Sequence, residues 1–428
     1  MQHTVTEVRL KNGACGLLID VPGATVMSFQ FQFRAGNRYV ASKDIYETAH
    51  IMEHMAFGAN AQFASEHEYE AEFIKNGAYH NAWTSDLSMV YVADCADFEW
   101  ERILQLQQVA ITQPKFNQTE LEAEKGNVRS ELVGYLNNHN RVLWPKIQQL
   151  LGNDIYTFHQ RVRTIAHVQL SDIQEHYRRT HTSDNLRFVI AGKMAGRKAQ
   201  IKRMLESWQL PRGERFAVPH DELHSGKPTL IRRKEASNLT FGWSMEIPRE
   251  LSDKEDAALD CLNHILTGTM HSRIFGKARK QGMAYGMFSD GSVGKYESSW
   301  DFGGEVECDK AERLFALIVS ELQAVLRGEI TEAELEAAKS YGLGRYQMGA
   351  QTVAQISGFY TGRFFWDGYV KDYAKVPQEI KATTLEQMNA VAREFIAANT
   401  WALAGVSSGE RSDIVRLGEQ LEGLFAQK

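Results

Sequence analysis

The stretch Asp44-Ile45-Tyr46-Glu47-Thr48-Ala49-His50-Ile51-Met52-Glu53-His54-Met55-Ala56-Phe57-Gly58 is where the sequence first becomes specific about chemistry. It reads as a helix. Asp44 is a candidate N-cap, Glu47 three residues on completes a capping-box pattern, and Gly58 stands where a left-handed C′ residue would end it. His50 and His54 are four apart, so their imidazoles leave one helical face a turn apart, and Glu53 borders that face. Two neutral imidazoles in this spacing can hold one zinc ion, and the neighbouring carboxylate can accept a proton from water activated there. The bland alternative is a pair of surface or satisfied core histidines. With 14 His in 428 residues, the H-x-x-E-H order arises by chance in roughly a few per cent of such chains. A third ligand and a supporting scaffold are therefore required elsewhere.

Composition narrows the class. A chain of this length holds about two to three ordinary domains. The 43% hydrophobic and 24% charged residues are those of a globular protein. A net charge of −6 and a pI near 6.2 give no electrostatic footprint for nucleic acid or an anionic membrane. The four cysteines (Cys15, Cys95, Cys261, Cys308) are far apart and form no C-x-x-C pair, which argues against a thiolate metal site and suits a reducing compartment. The first residues have neither a basic-then-apolar leader nor an Arg/Ser-rich presequence, and no apolar run approaches a membrane span, so a cytoplasmic protein is expected.

Along the chain, residues 4–10 and 15–21 read as strands around a turn at Asn12-Gly13, and 25–34 alternate as a half-buried strand. A helix over 66–75 stops at Asn76-Gly77. Asn81-Ala82-Trp83-Thr84 and a strand from Leu87 to Ala93 follow, then helices over 97–112 and 117–136. In the last of these, Glu124 and Glu131 are seven apart and share a face; alone, that pattern reads equally as a solvated acidic face paired with Lys125 and Arg129. A helix over 170–180, a strand over 186–192 and a helix over 196–208 close the first half. Pro211, Gly213 and Pro219 mark a polar connector. The second half supplies strands at 229–235 and 238–247, helices near 253–267 and 271–281, and strands near 284–290 and 297–306. Helices near 309–327, 331–348, 352–366 and 384–397 precede a strand at 401–405 and a last helix.

The second half repeats the first. Glu120-Leu121-Glu122-Ala123-Glu124-Lys125 matches Glu334-Leu335-Glu336-Ala337-Ala338-Lys339, displaced by 214 residues (334 − 120). Ala191-Gly192 matches Ala404-Gly405 at 213 (404 − 191), and His54 through Gly58 matches His264 through Gly268 at 210 (264 − 54). Nearly constant displacements indicate a duplication. In the second copy His50 and Glu53 become Asp260 and Asn263, and Glu124 and Glu131 become Ala338 and Arg345. The scaffold is kept and the metal-ligating groups are not, so a purely structural need for those side chains does not explain them.

Taken together, these motifs resemble the pitrilysin/insulinase family of zinc metallopeptidases, in the short type similar to the mitochondrial processing peptidase β subunit. The resemblance runs over nearly the whole chain: Gly36-Asn37-Arg38, Ala49 through Phe57, Asn81 through Thr84, the Glu124/Glu131 pair, Asp184-Asn185-Leu186, Ala191-Gly192 and Gly282-Met283-Ala284-Tyr285. It implies an α+β fold of two tandem homologous domains, each a mainly antiparallel sheet with helices packed on it, together forming half of a clam-shell chamber. The expected boundaries are a zinc-binding catalytic domain over 1–210, a linker over 211–228 and a metal-free domain over 229–428. By resemblance His50, His54 and Glu131 would ligate one zinc ion per chain, Glu53 would be the general base, and Glu124 would support the site. Asn81, Ala82, Trp83 and Thr84 would form the edge strand to which a peptide adds. Tyr285 matches the family's substrate-contacting tyrosine. The family arginine belongs seven residues earlier, where this chain has Ala278, while Arg279 lies six before.

The expected activity is zinc-dependent endopeptidase hydrolysis of short or unfolded peptides within a closed chamber. A four-domain chamber implies a dimer of these chains, or a heterodimer with a metal-less relative. A processing-peptidase subunit that needs such a partner, and a non-catalytic peptide-binding or scaffold subunit, are the alternatives.

Overall fold

The hairpin and the alternating strand form as their sequences require. In the computed structural model, which describes residues 1–425, β1 (Thr4–Arg9) and β2 (Cys15–Asp20) pair antiparallel around Gly13, which has φ +99°. β3 (Val26–Phe33) turns Phe29, Phe31 and Phe33 into the core. Next come α1 (Thr48–Ala56), α2 (Glu66–Ile74), β4 (Tyr79–Thr84), β5 (Met89–Ala96), α3 (Trp100–Thr112), α4 (Gln118–Tyr135), α5 (His139–Leu150) and α6 (Phe158–Thr164). α7 (Leu170–Thr180), β6 (Arg187–Gly192) and α8 (Lys198–Glu206) complete the first half. The second half contains β7 (Thr229–Arg232), β8 (Asn238–Ile247), α9 (Asp253–Leu266), α10 (Phe275–Lys280), β9 (Ala284–Val293) and β10 (Ser298–Glu307). It ends with α11 (Ala311–Leu326), α12 (Glu332–Gly349), α13 (Val353–Asp367), α14 (Val376–Ala382), α15 (Leu385–Ala398), β11 (Trp401–Ser407) and α16 (Arg411–Phe425).

The strands make two sheets of the same design. One has the order β1-β2-β6-β3-β5-β4 and the other β7-β11-β8-β10-β9. In each, one parallel pair (β2 with β6, β7 with β11) sits in an otherwise antiparallel sheet. The duplication read from the sequence is thus a duplication of topology, with β1 as the first sheet's additional strand. The fold is the expected α+β arrangement of two related domains.

The chain condenses into two compact units that interleave in sequence. Unit 1 comprises Met1–Gly134, Phe158–Pro219 and Gly349–Lys371; unit 2 comprises Tyr135–Thr157, His220–Met348 and the chain from Asp372 on. Accordingly α13, from the second half, packs on β3 and β6 of unit 1, and α5, from the first half, packs on β8 and β11 of unit 2. In unit 1, Arg34 and Arg215 donate to the carbonyls of Trp366 and Phe365 in the last turn of α13. Two cations there satisfy carbonyls that have no partner inside the helix and complement its dipole. In unit 2, α5 comes so close to β8 that a side chain at Gly242 would meet Ile147 Cδ1 at 2.6 Å. Neither α5 nor α6 is announced by periodicity, because Pro145 interrupts the first and the second has seven residues.

The motif helix departs from its expected caps. Lys43–Ile45 form a separate 3-10 turn, capped by Ser42 Oγ, which accepts from the Asp44 amide, and α1 begins only at Thr48. Asp44 is therefore not its cap. Gly58 is not left-handed either, being absent from the positive-φ glycines. The space around it is tight: a Cβ there would lie 2.9 Å from Glu120 Oε2 and 3.1 Å from the Met55 carbonyl oxygen, and Glu120 Oε1 accepts the next amide, that of Ala59, at 3.0 Å. Glu47 makes no capping bond at all.

Beneath α5, Glu246 on β8 is 2% exposed, accepts from Gln148 Nε2 at 3.3 Å, and keeps its second oxygen without a hydrogen-bond partner. Burial, with Asp301 and Glu297 nearby, pushes its pKa from 4.5 up to about 8. The folded chain thus holds a proton that the unfolded chain releases near its ordinary pKa. The resulting stabilisation is complete below that pKa and is lost as pH rises through 8. Glu246→Gln should remove this loss, so that the variant gains on the wild type by up to about 4 kcal/mol between pH 5 and pH 8. Denaturant unfolding at several pH values measures it, and parallel pH profiles would contradict it.

Candidate metal centre

α1 is buried at every position except His54. It therefore presents His50 and Glu53 from inside the protein, with His54 at the rim. α4 buries only Leu121, Val128 and Leu132. Glu124 and Glu131 each follow a buried residue of that stripe by three, so both flank it on one side. This amphipathic seam carries the two carboxylates to the imidazoles of α1.

Three donor atoms converge. His50 Nε2 and His54 Nε2 lie 3.5 and 3.4 Å from Glu131 Oε2, and the two imidazole rings stand at 81° with centroids 5.0 Å apart. Behind each ring is a carboxylate: Glu47 Oε2 lies 2.9 Å from His50 Nδ1, and Glu124 Oε2 lies 2.9 Å from His54 Nδ1. A carboxylate there makes each Nδ1–H the donor and turns Nε2 toward Glu131. Two imidazole nitrogens and a carboxylate oxygen gathered this closely call for positive charge between them, supplied by protons on the rings or by a metal cation. An ion with ligand bonds of about 2.0–2.2 Å in tetrahedral geometry sets its ligands about 3.3–3.6 Å apart, which is the spacing of both nitrogens from Glu131 Oε2. Two imidazole nitrogens and one carboxylate are a donor set that zinc accepts.

The electrostatics point the same way. Burial opposes charge on His54, but its bonds to Glu124 and Glu131 override burial and push its pKa up to about 10. His50 is raised likewise, with Glu131 and Glu47 overcoming burial. Glu47 is held below its ordinary value against burial by Arg161 and His50. Glu124 is lowered chiefly by its bond from His54. The pocket selects positive charge at its centre.

Glu53 is set apart. It is 8% exposed, and burial raises its pKa against the pull of His50 and His54. One oxygen, Oε2, accepts from Thr84 Oγ1 at 3.2 Å. Among the described residues, His50, Glu53 and His54 are the metal-capable cluster of mutually close donor atoms.

Thr84 ends β4, which lies at the edge of its sheet with β5 as its neighbour. Tyr79, Asn81 and Trp83 are exposed on it, while Ala82 is buried. The Ala82 amide donates to the Asn81 side chain at 2.9 Å, and Asn81 Nδ2 donates to Tyr79 Oη at 3.1 Å.

Tyr285 and Arg279 form a pair of their own in unit 2. Tyr285 is 83% exposed on the edge strand β9, and the Arg279 guanidinium lies 4.1 Å from its ring centroid and donates to its carbonyl. In the same unit, the counterparts of Glu53 and His54 are engaged otherwise. Asn263 accepts from Trp300 Nε1 at 2.8 Å, and His264 stacks on Tyr341 with centroids 4.0 Å apart.

The structure thus brings His50, Glu53, His54, Glu124, Glu131 and Thr84 together. It adds Glu47 and Arg161, which the sequence reading missed. Glu47 had a signal, since it precedes His50 by three and shares its face; the capping-box pattern concealed it.

Comparison with known proteins gives consistent results. Residues 17–165 match the family model described as Insulinase (Peptidase family M16), and residues 167–341 match Peptidase M16 inactive domain. The human mitochondrial-processing peptidase subunit beta is 28% identical over 151 residues, covering 34% of this chain and 30% of that protein. The Caenorhabditis elegans subunit beta is 28% identical over 162 residues, covering 37% and 35%. The matches therefore span about a third of the length of these curated relatives. In fold, the chain is similar to a protease from Helicobacter pylori (TM-score 0.82, 17% identity, 95% of this chain and 100% of that one). It is also similar to a peptidase M16 inactive domain from Pseudomonas fluorescens (TM-score 0.83, 16% identity, 95% and 98%).

For chelator-treated protein, zinc at a hundred times its dissociation constant should raise stability by about 2.7 kcal/mol. His50→Ala, His54→Ala and Glu131→Gln should each abolish that gain, whereas Glu124→Gln should weaken zinc about 10- to 100-fold. Thermal unfolding with and without zinc reads both. An undiminished gain in the histidine variants would remove α1 from the centre.

Proposed function

The chain belongs to the insulinase family, peptidase family M16, and on that premise we propose that it is a zinc-dependent endopeptidase acting on short or unfolded peptides. The observation that carries this reading is the convergence of His50 Nε2, His54 Nε2 and Glu131 Oε2 beside the buried carboxylate of Glu53. Zinc held by those three residues would supply a lowered water pKa and a Lewis acid for the peptide carbonyl.

The remaining work falls to the chain's own groups. The exposed edge of β4 would bind the substrate main chain as an added strand, displacing the Asn81 amide from Ala82; such pairing demands little of the peptide's sequence. Thr84 occupies Glu53 Oε2, which leaves Oε1 to receive the proton of the attacking water and deliver it to the leaving nitrogen. A buried carboxylate with a raised pKa is better matched to that exchange than an exposed one. Tyr285 Oη, with Arg279 beside it, would donate to the oxyanion of the tetrahedral intermediate. The alternative, a non-catalytic scaffold or peptide-binding subunit, gains support from the inactive-domain similarities. The intact ligand set of unit 1 weighs against it.

Glu53→Gln should keep zinc while lowering cleavage of a quenched fluorescent peptide library by about 10²- to 10⁴-fold. Tyr285→Phe should lower kcat by about 10²- to 10³-fold with KM little changed. A fully active Glu53→Gln enzyme would overturn the assignment of the base, and a zinc-loaded wild type that cleaves nothing would favour the scaffold reading.

We further propose a dimer, either of this chain or with a metal-less relative, since the family chamber is built from four such domains. Light scattering of the active protein should give about twice 48.5 kDa; a single-chain mass would contradict it.

A further inference from the structure

The two imidazoles are backed unequally. Glu124, behind His54, is partly exposed and also accepts from Asn127 Nδ2 at 3.1 Å. Glu47, behind His50, is 0% exposed. A carboxylate enclosed to that degree keeps its charge only with a counter-ion and bonded oxygens. Arg161 on α6, 114 residues further along, provides both: Nε donates to Glu47 Oε1 at 2.5 Å and Nη2 to Oε2 at 3.1 Å, with Arg161 itself 13% exposed.

We propose that Arg161 is a positioning residue of the metal centre, acting through Glu47 to fix the orientation of His50; this rests on the zinc assignment above. The geometry carries the argument. Glu47 Oε2 is shared, accepting from Arg161 Nη2 and lying 2.9 Å from His50 Nδ1. A planar guanidinium grips both oxygens and so fixes the plane of the carboxylate, which an ammonium cannot do. With that plane fixed, Oε2 cannot leave the His50 ring without breaking the fork, and the ring holds Nε2 toward Glu131. Arg161 touches no ligating atom itself, and its influence passes through two hydrogen bonds.

The repeat offers an independent observation. At the displacement that relates His54 to His264, the counterpart of His50 is Asp260 and that of Glu47 is Ala257. Where the imidazole is missing, the buried carboxylate is missing with it. A pair needed for packing alone would have no reason to vanish together with the ligand.

The test measures zinc affinity of the full chain by chelator competition, in parallel with the Tm of metal-free protein and the visible spectrum of the cobalt-substituted form. Glu47→Gln should weaken zinc about 10- to 100-fold. Arg161→Met should weaken it comparably and Arg161→Lys by less, with a shifted cobalt spectrum in each. Adding Arg161→Met to Glu47→Gln should change affinity by less than about 3-fold more, because the two act as one unit. Should Arg161→Met fail to fold, Arg161→Lys and the charge-neutral double variant carry the same comparison. Wild-type zinc affinity and spectrum in the Arg161 variants, with only a lowered Tm, would overturn the proposal. Fully additive losses in the double variant would overturn it too. A wild type that binds no zinc overturns the metal assignment and this proposal together. One that binds zinc but cleaves nothing overturns the peptidase reading alone, and the variant affinities still decide the role of Arg161.

Discussion

Everything at the centre depends on two imidazoles being turned toward one carboxylate oxygen. A histidine pair one turn apart on a buried helix is free to flip or to bond to whatever lies nearest. Here each Nδ1 is committed to a carboxylate, Glu47 for His50 and Glu124 for His54, so both Nε2 atoms are left for Glu131. Four glutamates around two histidines would be an unstable concentration of charge without a cation. The buried Glu47–Arg161 pair neutralises one of them, and a divalent ion at the centre would answer the rest.

The duplication shows what the fold needs and what the chemistry needs. Both sheets place one parallel pair in an antiparallel frame, and both accept a helix from the other half of the sequence. Neither property requires the H-x-x-E-H side chains, and unit 2 does without them. Its Asn263 serves Trp300, and its His264 lies flat on Tyr341. The H-x-x-E-H side chains are thus confined to one copy of a scaffold that stands in two forms.

Much of this was legible in the sequence. Strands β3, β8 and β11 and helices α7, α9 and α15 lie within a residue or two of where periodicity puts them, because each is defined by side chains alternating or recurring over its own length. The facing of His50 with His54, and of Glu124 with Glu131, follows from the pitch of one helix. The caps of α1 were misread for the opposite reason. Asp44 and Glu47 have the right residue types for a capping box, but a buried arginine and an imidazole compete for the same carboxylate and win. α5 was not legible because its proline breaks the local signal, and the sheet of unit 2 gives that helix its stability.

The sequence by itself determined the repeat, the α+β class, and the helical faces that carry the imidazoles and the two glutamates, since these are properties of spacing along one element. Only the tertiary structure decided which carboxylate stands behind which histidine, that Thr84 bonds to Glu53 across 31 residues, and that Arg161 reaches Glu47 across 114. It also decided that α5 and α13 exchange sheets. Those choices are made by burial and by the need to satisfy every enclosed polar group, and they depend on which distant segments meet. Spacing within one element carries no record of that.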